Sequence, residues 1–211
     1  MLTIQAHSSA TYAPRTYVNA HAADLTVALA VDFTTAGERL THKAAGDRYL
    51  GLPLGGDPIL AARKLYAELR RRNASTLNIA GNGIYTLSRA GWSQEHVNQW
   101  VYAVLATVAP HWPLSLVRSG GQTGVDIAGV AAAHALGLEA LALLPGGFLQ
   151  RFEDKVDCPH SADEIRAQIE RYAHLLVQGK QQQPPCSRLP ADVGFAGAPP
   201  APARPPGRRP I

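Results

Sequence analysis

The chain offers little sulfur chemistry. It has two cysteines, Cys158 and Cys186, and neither belongs to a CxxC pair. A disulfide framework is therefore excluded, and the pattern suits a reducing compartment. Long hydrophobic runs are also missing. No stretch approaches the roughly 20 apolar residues that span a bilayer. The opening MLTIQAHSSATYAPR lacks the basic region and apolar core of a signal peptide. These absences point to a cytoplasmic protein without a membrane partner. Neither GxxxxGK[ST] nor GxGxxG occurs, which excludes a P-loop and the dinucleotide fingerprint. No Ser-His-Asp or Cys-His arrangement is legible. His42, His96, His111 and His134 do not cluster, and Cys158-Pro159-His160 supplies two of the four ligands a structural zinc needs. No metal is expected, and no cofactor is named by the sequence.

The formal charge is +4. Its placement weakens a nucleic-acid reading. Arg204, Arg208 and Arg209 lie in a Pro-rich segment, and Arg70, Arg71 and Arg72 end a predicted helix, where cations suit the dipole. Nucleic acid is not an expected partner.

What remains is a chain of 211 residues, 46% hydrophobic, enough for one α/β core. Residues 1–178 read as that domain. Residues 179–211, rich in Pro, Gly and Gln, read as a disordered tail with little to bury. Inside the domain, strand and helix signals alternate. Apolar strands are predicted at 25–31, 48–54, 76–80, 114–117 and 140–144. Helices are predicted at 39–45, from the cap Asp57-Pro58 onward with Ile59, Leu60, Leu65 and Leu69 inward, at 94–108 after the cap Ser93, at 125–136 before Gly137, and at 161–177. Trp92, Trp100 and Trp112 flank the fourth strand's preceding helix and read as core or a subunit contact. Strands separated by helices imply a mostly parallel sheet of five to six strands covered on both faces, a Rossmann-like three-layer sandwich.

In such sheets ligands sit beyond the C-terminal strand ends. Four loops follow strands there: TTAGE (34–38), GNG (81–83), SGGQTG (119–124) and PGG (145–147). In SGGQTG, Gly120 and Gly121 allow a sharp turn, and the next helix presents free N–H groups to an anion. Ser119, Gly120, Gly121, Gln122, Thr123 and Gly124 are the phosphate-binding candidates, and Gly121→Val is expected to abolish binding without unfolding the chain. Asp126 reads either as a ligand or water contact or as a plain carboxylate at a helix start. Glu38 has the same two readings, as a general acid or base or as a cap. Arg15 is either a phosphate fork or a surface cation. Asn19, Thr34, Thr35, Gly37, Gly81 and Asn82 complete the rim.

Several of these residues carry a resemblance. SGGQTGVD, an Ala-rich helix and a strand ending in Pro-x-Gly resemble the opening of the molybdenum-carrier family, within the SLOG superfamily of Rossmann-like nucleotide-binding proteins typified by the LOG cytokinin-activating enzymes. Arg15-Thr16-x-x-Asn19, the strand after Asp24, Thr34–Thr41 and Leu77–Gly81 resemble that family's second half. The two halves stand in exchanged order, as in a circular permutation. The resemblance spans roughly residues 12–150. It implies a nucleotide-like small-molecule ligand and a homodimer. It departs from the LOG motif PGGxGTxxE: TTAGE has one glycine, Glu38 follows Gly37 directly, and Pro145-Gly146-Gly147 continues as FLQR.

Three functions follow as expectations: binding of a nucleotide or nucleotide-derived ligand as sensor or carrier; cleavage of a nucleoside-monophosphate N-glycosidic bond by a phosphoribohydrolase mechanism using Glu38 and Asp126; and carriage of an oxyanion such as molybdate or of the molybdenum cofactor.

Overall fold

The computed structural model describes residues 1–182. Most of the expected tail, with Cys186, lies outside them. In order, the chain forms β1 (Leu2–Ala6), α1 (Tyr12–His21), β2 (Leu25–Ala30), α2 (Ala36–Ala45), β3 (Tyr49–Pro53), α3 (Pro58–Arg72) and β4 (Thr76–Gly81). Then follow α4 (Ile84–Arg89), α5 (Gln94–Val108), β5 (Leu116–Ser119), α6 (Val125–Ala135), β6 (Ala140–Leu144), a small hairpin β7 (Gln150–Arg151) and β8 (Asp157–Cys158), and α7 (Ala162–Gln182). Six strands form one sheet in the order β1-β6-β5-β4-β2-β3, and every pairing in it is parallel. Helices α3, α5, α6 and α7 pack side by side on one face, and α1 packs with α2 on the other. This is a Rossmann-like three-layer α/β sandwich.

Local chemistry explains the boundaries. Asp57 accepts from the Ile59 N–H and Pro58 occupies the first helical position of α3. Ser93 caps α5. Ser161 and Glu164 form a reciprocal capping box at the start of α7. Gly137, at φ 73°, ends the turn after α6. β3 is an edge strand, so Pro53 costs no ladder bond on its outer side.

The two central strands sort their side chains by size. In β2, Leu25, Val27 and Leu29 alternate with Thr26, Ala28 and Ala30. In β4, Leu77 and Ile79 alternate with Asn78 and Ala80. Successive strand residues point to opposite faces. The large set faces the layer of α3, α5 and α6, where Gly129 lets α6 come down directly onto Ile79. The small set faces α1 and α2, and small side chains under two helices leave room between the layers.

The structure corrects several expectations. β1, α1 and α4 were not foreseen. β5 sits two residues later than expected, and α2 starts three residues earlier, so Glu38 belongs to its first turn. Ile59 and Leu60 are exposed, leaving Leu65 and Leu69 as the buried stripe of α3. α7 runs on to Gln182, past the expected start of the tail. Trp100 is core, its indole N–H donating to the Gly56 carbonyl. Among the described residues no helix is long and apolar enough to cross a membrane.

Candidate functional site

The room left by the small residues is a cavity of about 580 Å³ between α1, α2 and the C-terminal halves of the central strands. Of the four expected loops, TTAGE, GNG and SGGQTG reach it. PGG does not: the Gly146 N–H donates to the Ser9 carbonyl and the loop packs against residues 7–10. Its place on the rim is taken by the β7–β8 hairpin, which brings in Arg151 and Lys155.

Arg15 and Asp126 form a buried ion pair, Nη1 to Oδ2 at 3.2 Å. Gly120 lies against this pair, and any Cβ there would overlap both Arg15 Nη1 and Asp126 Oδ2. Gly120 is thus required by close approach of side chains. Asp126 also accepts from the backbone N–H groups of Gln122 and Gly81. Its burial raises the carboxyl above the usual range, opposed by Arg15 and these amides.

Glu38 is buried at the start of α2. Thr35 caps that helix by accepting from the Glu38 N–H. Asn82 fixes the adjoining loop: its Oδ1 accepts from the N–H groups of Val31 and Asp32, its Nδ2 donates to the Asp32 carbonyl, and the same Nδ2 reaches Glu38 Oε1 at 3.5 Å. Glu38 Oε2 has no partner. Burial first, then the charges of Asp126 and Asp32, push Glu38 from 4.5 up to about 8. Glu38 therefore carries its proton at neutral pH.

Asn19 of α1 and Asn78 of β4 lie beneath these groups. Each spends one amide atom on the fold: Asn19 Oδ1 accepts from Arg118 Nε at 3.1 Å, and Asn78 Nδ2 donates to Thr26 Oγ1 at 3.2 Å. Asn19 Nδ2, Asn78 Oδ1 and Arg15 Nε are buried without partners.

Of the expected residues, Arg15, Asn19, Thr35, Gly37, Glu38, Gly81, Asn82, Gly120, Gln122, Thr123 and Asp126 line the cavity. Thr34, Ser119, Gly121 and Gly124 do not line it. Thr34 is tied to Asp32, and the Ser119 hydroxyl donates to the Ile79 carbonyl. Gly121, at φ 66°, faces Leu144. Gly124, at φ 98°, sits so close to the GNG loop that a Cβ would lie 2.5 Å from the Asn82 carbonyl. Three amides of the expected anion nest are already spent: Gln122 N–H on Asp126, Gly124 N–H on Gln94 Oε1, and Val125 N–H on the Asn82 carbonyl. Gln122 and Thr123 hold the hairpin instead, through Leu149 and both backbone groups of Arg151.

Sequence reasoning missed Tyr12, Asn78, Tyr85, Arg151 and Lys155. Asn78 carried a signal, a polar residue inside an otherwise apolar strand. The others did not. Tyr12 OH donates to Asp157 Oδ1, and Arg151 pairs with both oxygens of Asp157 at 2.8 Å, pinning the hairpin to α1. Lys155 lies 4.0 Å from the centre of the Tyr85 ring across the mouth. Among the described residues no group of three His, Cys, Asp or Glu side chains is placed to hold a metal ion. No family model matches the chain, and neither curated proteins nor solved structures give a match.

Proposed function

We propose that this domain binds a nucleotide or nucleotide-derived small molecule in the cavity between α1 and α2, as a sensor or carrier. One observation carries the reading: buried, unpartnered polar atoms of Arg15, Asn19, Glu38 and Asn78 belong to side chains that line a single cavity. Leaving a buried polar atom unsatisfied costs about 1–3 kcal/mol. Four in one place favour a polar ligand that satisfies them. The volume suits a ligand of nucleotide size. Lys155 and Arg151 at the mouth suit a phosphate. A thermal-shift screen of the full chain with nucleoside monophosphates tests the reading, because a ligand of the folded state alone raises Tm. No shift with any of them at millimolar concentration sinks it.

Glu38 favours a second reading, N-glycosidic cleavage of a nucleoside monophosphate. Protonated at neutral pH, it is suited to give a proton to a departing base, while Asp126 orients water toward the sugar carbon. Release of free base and ribose phosphate, lost in Glu38→Gln, is the expected outcome. Nucleotide binding without release leaves the binding function alone. Oxyanion carriage has less support, because three of the amides it would use are occupied by protein acceptors. A homodimer remains part of the proposal through the SLOG resemblance, and sedimentation of the full chain tests it.

A further inference from the structure

The cavity is layered, and the spacing of its residues explains why. On α1, Arg15 and Asn19 are one turn apart. On α2, Glu38 and Thr41 are three residues apart. On β4, Asn78 lies two residues before Ala80 and four before Asn82. One helical turn and two strand residues both advance by about 6 Å. An ionic layer of Arg15, Asp126 and Glu38 therefore sits toward the mouth, and a neutral layer of Asn19, Asn78 and Thr41 lies one step deeper.

The deep layer is built. Asn19 is 2% exposed and Asn78 3%. Arginine can only donate, so Arg118 Nε fixes Asn19 with its oxygen turned away and its Nδ2 donor left over. Arg118 also donates to the Ala22 carbonyl, which holds the guanidinium still beneath Asn19. Its charge polarises the Asn19 amide and strengthens the remaining donor. Asn78, bonded through Nδ2 to Thr26, keeps Oδ1 as an acceptor. Asn78 and Arg118 are direct partners in the β4–β5 register, so the two asparagines flank the same point of the sheet.

We infer that Asn19 and Asn78 form a recognition subsite for a planar, uncharged group presenting an acceptor beside a donor, such as the amide or amidine edge of a nucleobase or a carboxamide. This rests on the nucleotide-binding reading and orients the ligand within it: base inward at the amides, sugar and phosphate outward at the ionic layer and Lys155. A single neutral donor and a single neutral acceptor match such an edge and mismatch a phosphate, which has only acceptors at high charge. A site built to hydrogen-bond a group rejects analogues that lack it, because its own buried atoms are then left unpaired.

The test is titration calorimetry on the full chain with AMP, IMP, UMP, purine riboside 5′-monophosphate, which lacks the exocyclic group, and ribose 5-phosphate. The tightest of the first three should bind at least about tenfold better than the purine riboside analogue. Asn19→Asp keeps an oxygen for Arg118 but replaces the donor with an acceptor. It should erase that preference and weaken nucleotide binding more than ribose 5-phosphate binding, which feels only the added charge. Asn78→Leu should do the same by removing the acceptor, with far-UV circular dichroism verifying the fold of both. Nucleotide binding with no preference, or with a preference untouched by Asn19→Asp, overturns the inference and leaves the binding function standing. Equal weakening of ribose 5-phosphate and nucleotide by Asn19→Asp also overturns it, since phosphate would then lie at the amides. Binding of none of the five compounds overturns both.

Discussion

Glu38→Gln isolates an ionisation that burial displaces far from its ordinary range. The substitution keeps shape, and the Gln Oε1 can still accept from Asn82 Nδ2, but it removes the titration. Glu38 has a folded-state value near 8 against an ordinary 4.5. A carboxyl whose folded value is raised holds its proton in the native state after the unfolded chain has lost it. The native state is therefore penalised progressively as pH rises from about 4.5 to about 8, and by a constant amount above that. Linkage between those two values gives a cost of about 0.8 kcal/mol at pH 5, about 3 kcal/mol at pH 7 and about 5 kcal/mol at pH 9. Glutamine carries none of it. Urea unfolding of wild type and Glu38→Gln at these three pH values should show the variant gaining on the wild type as pH rises. Taking the difference between the two proteins cancels, to first order, the titration of carboxyls remote from Glu38, while Asp126, whose charge helps raise Glu38, stays coupled to it. A ¹³C titration of the Glu38 carboxyl by NMR reads the same quantity directly. Parallel stability curves between pH 5 and 9, or a carboxyl titrating near 4.5, would refute the reasoning: the cavity would then hydrate Glu38 as bulk water does. If the cleavage activity exists, it should need the protonated form and decline above about pH 8.

Four further outcomes follow from the same geometry. Gly120→Ala should displace the Arg15–Asp126 pair, destabilise the fold by about 1–3 kcal/mol and weaken nucleotide binding at least tenfold; an unaltered urea midpoint together with unaltered binding would contradict the close approach. Gly121 faces Leu144 and not the cavity, so Gly121→Val should reduce stability, contrary to the sequence expectation of a pure binding defect. Arg15→Met should cost about 3–5 kcal/mol at pH 7 by leaving Asp126 buried without its cation. Above its unfolded value Asp126 must stay charged or take up a proton, so the cost should shrink toward pH 4, and a pH-independent cost would argue against the pair. Gln122→Ala removes the bonds to the Leu149 carbonyl and the Arg151 N–H. Hydrogen exchange of the Arg151 amide should accelerate about tenfold, and protection equal to wild type would mean that Tyr12 and Thr123 hold the hairpin alone.

Much of the fold was legible because it is encoded locally. Asp57-Pro58, Ser93, Ser161 and Gly137 mark helix ends by hydrogen-bonding chemistry that acts within a few residues. The β6 and α5 boundaries came out as read. β1 was missed because LTIQA is short and no turn signal precedes it. α1 was missed because its apolar pattern is weak: it covers a cavity and buries Arg15 and Asn19 instead of a leucine stripe. The size alternation in Leu25–Ala30 and Thr76–Gly81 lies in the sequence, but both segments read only as buried apolar strands.

The sequence by itself determined an alternating α/β chain with a parallel sheet, and it marked three of the rim loops with glycine, hydroxyl and carboxylate side chains. It did so because caps, periodicity and turn chemistry are short-range. Only the tertiary structure decided what those loops do. It spent two of the SGGQTG amides on protein acceptors, seated Gly120 under an ion pair formed across more than a hundred residues, and replaced PGG by the Arg151–Lys155 hairpin. Which polar atoms are left unpaired, and which carboxyl keeps its proton, depends on burial and on partners brought together from distant strands and helices, and no local pattern carries that information.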